Sequence, residues 1–85
     1  MGDLQQLTID HTSIVPKYQQ LMEIILKNIQ NREFKPGDML PSLYTYMVTM
    51  CISKGTVEKA YTKLKEMGVI TSVKGKGFFV ADKGA

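Results

Sequence analysis

The chain offers little for metal or redox chemistry: its 85 residues hold one cysteine, Cys51, and one histidine, His11. A lone cysteine excludes an internal disulfide and any multi-cysteine metal site, so a reducing, cytoplasmic setting is the expectation. Cys51 stands beside Ile52 between two helical patterns and reads as a small buried filler. His11 lies in a polar stretch without partner ligands and reads as solvated. No apolar run approaches the roughly 20 residues that span a bilayer, so no membrane association is expected. The start, Met1-Gly2-Asp3-Leu4-Gln5-Gln6, lacks the basic end and long apolar stretch of a secretory signal. Nor is there a nucleophile–base constellation or a phosphate-loop, zinc or dinucleotide motif. The expectation is a protein that is not an enzyme and takes no cofactor and no metal.

What is present suits one small folded domain, with 44% apolar residues and a formal net charge of +3. The charge is unevenly spread. Up to Ser42 the cations Lys17, Lys27, Arg32 and Lys35 face Asp3, Asp10, Glu23, Glu33 and Asp38, a net of −1. From Leu43 onward Lys54, Lys59, Lys63, Lys65, Lys74, Lys76 and Lys83 oppose Glu58, Glu66 and Asp82, a net of +4. A basic half on a small domain is the footprint of a phosphate-binding surface, though it also describes a solvated lysine face.

Residues 1–13 are polar and non-periodic and read as a flexible arm. Pro16 fits a first helical turn, where its missing N–H is not needed. Tyr18, Leu21, Met22, Ile25 and Ile29 then recur at helical spacing, with Ile24 and Leu26 widening the stripe, to about Asn31. Phe34-Lys35-Pro36-Gly37-Asp38 suits a type II bend. Ser42 reads as an N-cap for a short helix from Leu43 to Met50, with Tyr46, Met47 and Met50 inward. Cys51-Ile52 makes a tight break. Ser53 caps a third helix over Lys54–Met67, which buries Val57, Ala60, Tyr61 and Leu64, and Gly68 ends it in a left-handed residue. Val69–Val73 and Phe78–Val80 are rich in strand formers, and Lys74-Gly75-Lys76-Gly77 makes the hairpin tip between them. Three helices followed by a two-stranded wing give a mainly α fold, a winged helix-turn-helix over residues 14–81, with 82–85 as a tail.

Five blocks carry a specific resemblance. Pro16-x-Tyr18-x-Gln20-Leu21, Pro36-Gly37-Asp38-x-Leu40-Pro41-Ser42 and Ser53-Lys54-x-Thr56-Val57-x-x-Ala60-Tyr61-x-x-Leu64 come first, then Gly68-Val69-Ile70 and Gly75-x-Gly77-Phe78-Phe79-Val80. In that order and at those intervals the chain resembles the N-terminal DNA-binding domain of the GntR family of bacterial transcription regulators. The resemblance covers roughly residues 14–81. It implies a winged helix that binds operator DNA as a homodimer, most often as a repressor, normally joined to a C-terminal effector-binding or dimerising segment. The chain ends about five residues after the wing, so an effector ligand is not expected within it. A truncation and a minimal protein that pairs through its helical arm both stay open.

The candidate contacts with duplex DNA follow from chemistry. A helix capped by Ser53 presents its first-turn N–H groups, with Lys54, Gly55, Thr56, Glu58 and Lys59 on the side opposite its apolar face. Gly55 has no side chain to hold the backbone off. Thr56 can bond a phosphate or base edge or touch a thymine methyl, and it can equally serve the helix cap. Lys74, Gly75, Lys76 and Gly77 form a narrow positive tip suited to the minor groove. Ser42 and Tyr44 begin the second helix, where the Tyr44 hydroxyl can donate to a phosphate.

The chain departs from the family pattern at Leu43-Tyr44, where Glu-Arg is common, at Lys54 and Glu58, where Arg is common, and at Cys51, where Gly is common. Lysine is a poorer guanine reader than arginine, and Glu58 repels phosphate while accepting from a cytosine amino group. The family's usual operator preference is therefore not expected to carry over. Two other readings remain: a protein-interaction module with weak or non-specific DNA binding, docking through Leu43, Tyr44 and Val48, and non-specific nucleoid association with strong salt dependence.

Overall fold

A computed structural model describes residues 9–81. The element order is α1 (Lys17–Gln30), α2 (Leu43–Met50), α3 (Lys54–Glu66), β1 (Ile70–Val73) and β2 (Gly77–Val80). This is the expected winged helix-turn-helix, with the strands antiparallel and Ile70 opposite Val80.

Helix boundaries follow from local chemistry. Pro16 precedes α1, and its carbonyl accepts from the amides of Gln19 and Gln20. Ser42 and Ser53 cap α2 and α3 in the same way: each side chain accepts from the amide of the threonine three residues on, Thr45 at 3.3 Å and Thr56 at 3.2 Å. At the far end of α3, Gly68 adopts φ +80°. Its amide bonds Lys65, and the amide of Val69 bonds Leu64, which is the paired closure of a Schellman ending.

The core lies where α3 meets α1, α2 and β1. Leu21 and Ile25 of α1 and Val57, Ala60, Tyr61 and Leu64 of α3 are completely buried. Tyr46, the inward residue of α2, stacks edge-on to Tyr61 at 6.2 Å, and Tyr61 stacks edge-on to Phe78 of β2 at 4.8 Å. This run of three rings ties α2, α3 and the wing together. It fixes the direction in which the hairpin leaves the body.

The structure corrects the sequence reading at Cys51, in the arm and at the wing tip. Cys51 is exposed, not a buried filler; it ends α2 in the left-handed region at φ 56°, ψ 50°. Its role is to turn the chain, so its backbone matters and its thiol stays outside. The end of the arm is tied to the body: Ile9 is buried in the core, and the Gln20 side chain bonds the amide and carbonyl of Asp10 and the carbonyl of Val15, while Asp10, His11, Thr12 and Ile14 stay exposed. The rest of the expected arm, residues 1–8, and the tail, 82–85, lie outside the described residues. His11 is exposed as expected, but its Nε2 also stands 3.3 Å from the Met50 carbonyl oxygen. Finally, Gly77 pairs with Val73, so the wing tip is the three residues Lys74-Gly75-Lys76. The wing also gains a partner: Met39 bridges Phe79, with the Leu40 amide donating to Phe78 and the Val80 amide to Asp38.

Candidate nucleic-acid interface

Helix α3 is the candidate for the interface because its two sides differ completely. At a spacing of about 100° per residue, Val57, Ala60, Tyr61 and Leu64 share one stripe, and every one is inaccessible to solvent. Ser53, Lys54, Gly55, Glu58 and Lys59 are exposed on the remaining surface, with Thr56 half-buried at its edge. Thirteen residues make a rod about 20 Å long, slim enough for the major groove of B-form DNA.

The first turn of α3 is open. A Cβ built on Gly55 would meet nothing within 4 Å, so a partner can approach the backbone there. The Thr56 hydroxyl is shared with the cap, lying 2.9 Å from the Ser53 hydroxyl. Thr56 thus serves the helix end, with hydrogen-bonding capacity to spare. Lys54 and Glu58, one turn apart, stand 3.8 Å from each other with both side chains more than half exposed.

Lys59 behaves differently. Its ammonium sits over the Tyr18 ring of α1, 4.4 Å from the centroid, so it is held toward α1 by a cation–π contact. Around it an open groove of about 540 Å³ runs between Ser13–Tyr18 and the α3 residues Gly55, Thr56 and Lys59, with the Ser53 cap at its edge. The sequence reading missed this wall. Lys17 and the approach to α1 belong beside the first turn of α3, and the only sequence signal was the Pro16-x-Tyr18-x-Gln20 block. The Gln20 hydrogen bonds hold that wall in place. Within it, Thr12 donates its hydroxyl and its amide to the Asp10 carboxylate at 2.7 and 3.0 Å, which lowers the Asp10 pKa.

The wing and α2 supply the remaining candidates. Lys74, Gly75, Lys76 and Gly77 are all exposed, with Gly75 at φ +80° and Gly77 at φ +130°. A residue other than glycine would be strained at either position. Ser42 is exposed and occupied as a cap. Tyr44 is 69% exposed, and Val48, one turn on, is 56% exposed.

Among the described residues, no group of three His, Cys, Asp or Glu side chains is placed to hold a metal ion, and no helix is long and apolar enough to cross a membrane.

Residues 17–80 match the family of bacterial regulatory proteins named for gntR. The chain is similar to the HTH-type transcriptional repressor YtrA of Bacillus subtilis, 35% identical over 80 residues that cover 89% of this chain and 58% of the repressor. Among solved structures it resembles YtrA from Sulfolobus acidocaldarius, described as a GntR-family transcription factor. That match has 35% identity and a TM-score of 0.81 and covers 88% of this chain and 79% of the other. It also resembles AraR(DBD) in complex with operator ORX1, with 32% identity, a TM-score of 0.78, and coverage of 92% of this chain and 93% of the other. The chain spans just over half the length of the first curated relatives it matches.

Proposed function

This chain belongs to the gntR family of bacterial regulatory proteins, and on that premise we propose that residues 14–81 bind operator DNA as the reading head of a cytoplasmic transcriptional repressor. The observation that carries this reading is α3: a helix with a wholly buried back, a doubly bonded serine cap and an unobstructed first turn. The likeness to a DNA-binding segment held on its operator supports it.

In this mechanism α3 enters the major groove with Lys54, Gly55, Thr56 and Glu58 toward the base edges. Lys17, at the α1 wall, and Lys59 neutralise phosphates of the adjoining strand. Ser42 and Tyr44, at the start of α2, meet the same rail, the tyrosine hydroxyl donating to a phosphate oxygen. Lys74 and Lys76 follow the minor groove, where Gly75 and Gly77 let the backbone come close. The lysines set position and affinity, and the α3 face sets sequence. Two copies on half-sites about one helical turn apart would bind a near-palindromic site. Effector sensing lies outside this segment.

Selection of the chain against a random duplex pool at near-physiological salt tests the reading. Enrichment of a two-fold symmetric site is the expected result. Binding that falls steeply with salt and enriches no motif would replace it with phosphate-driven association. A second reading, protein docking, is favoured by one observation: Tyr44 and Val48 form an exposed apolar pair on α2. It predicts that duplex is retained weakly at best, even at low salt.

A further inference from the structure

The exposed surface of α3 has two unlike flanks. Thr56, Lys59 and Lys63 turn toward α1, since they line the grooves shared with that helix. At 100° per residue, Lys54 and Glu58 fall on the opposite flank, away from α1, where they pair with each other at 3.8 Å. Glu58 is a carboxylate on a surface that must approach a polyanion. Left unmatched there, it would oppose binding.

We propose that Lys54 and Glu58 act as one reading unit for a single G·C base pair, the ammonium on guanine and the carboxylate on cytosine. This rests on the operator-binding reading of α3. In the major groove a G·C pair segregates its polar groups: guanine offers two acceptors, N7 and O6, and cytosine offers one donor, its N4 amino group. The guanine O6 and cytosine N4 are themselves hydrogen-bond partners, roughly 3 Å apart. A cation and an anion held 3.8 Å apart on adjacent turns of one helix therefore match the two halves of that edge in charge and in spacing. An A·T pair fits poorly, because its one amino donor sits between two acceptors that repel a carboxylate, with the thymine methyl beyond. The pairing also explains how a glutamate is tolerated on this face: Lys54 offsets its charge before and after docking.

The arrangement makes Glu58 a specificity residue whose value is positive at one base pair and negative elsewhere. Lys54 positions the carboxylate as well as reading guanine. Because both side chains are exposed, their replacement leaves the core intact.

The test is duplex selection with the unaltered chain, Glu58→Gln, Glu58→Ala and Lys54→Ala, at one salt concentration. The unaltered chain should enrich a symmetric site with one G·C pair in each half that Glu58→Ala relaxes by roughly tenfold or more in preference. Glu58→Gln should move that position toward A·T, since glutamine bonds adenine N6 and N7. Lys54→Ala should relax the same position and no other. If the unaltered chain enriches a site that Glu58→Gln leaves unchanged, or if Lys54 and Glu58 variants alter different base pairs, the shared reading is overturned while operator binding stands. If the unaltered chain enriches no site, operator binding falls, and this inference with it.

Discussion

The hydroxyl of Tyr61, in the middle of α3, donates to the carbonyl of Pro41, just ahead of the α2 cap, across 2.6 Å. One bond thus joins the back of the proposed reading helix to the segment that launches the helix before it. The Tyr61 ring also lies between Tyr46 and Phe78. A single side chain thereby sets the angle between α2 and α3 and the seat of the wing.

Tyr61→Phe keeps the ring stack and leaves the Pro41 carbonyl without this donor. Loss of one such bond at a part-buried carbonyl costs about 1–2 kcal/mol. Urea unfolding should show a lower midpoint with an unchanged slope. DNA affinity should fall further than the stability loss accounts for, because the bond also holds the α2–α3 angle.

Alkaline pH should weaken the fold through the same rings. Burial pushes the Tyr46 hydroxyl up to about 12 from its ordinary value of 10.0. Burial also raises Tyr61, with the neighbouring Tyr46 adding to the shift. In the unfolded chain both titrate near 10, so above that pH the native state holds more protons than the unfolded one, and stability falls as pH rises. The contribution is whole below about pH 10 and is lost as pH climbs toward about 12. Thermal melts across that interval should show a falling Tm, and Tyr46→Phe should flatten the decline.

Gly55→Ala separates folding from binding. The added methyl meets nothing within 4 Å, and glycine inside a helix costs about 0.5–1 kcal/mol relative to alanine. The variant should melt at a higher temperature. Its affinity for a selected duplex should drop, because the methyl occupies the space through which the backbone approaches DNA. A variant that is more stable and binds unchanged would show that the first turn of α3 does not approach DNA closely.

Cys51→Gly should stabilise the protein. Cys51 holds a left-handed backbone, costly for any residue with a Cβ, and its thiol makes only a weak 3.9 Å contact with the Val48 carbonyl. Removing that strain is worth about 1 kcal/mol, or a Tm higher by about 4 °C or more in a domain of this size. Calorimetry on both forms under reducing conditions measures it directly.

Much of this protein was legible in its sequence because its signals are local. Ser42 and Ser53 mark helix starts by a bond reaching three residues, Gly68 marks an end by its own backbone angle, and the Val57, Ala60, Tyr61, Leu64 stripe follows from the helical period. The candidate contacts on α3 and in the wing follow from the same local signals. What only the tertiary structure decided involves residues far apart in the chain. The period of α1 cannot say that Lys59 will rest on Tyr18, that Ile9 will complete the core, or that Met39 will bridge Phe79. Cys51 departs from the burial that its apolar neighbour suggests, because its position as the left-handed end of α2 turns it outward. Local patterns set which segments become helices and strands. Packing of the completed core then chooses which exposed side chains meet, because those meetings depend on the angles between elements rather than on any spacing within one.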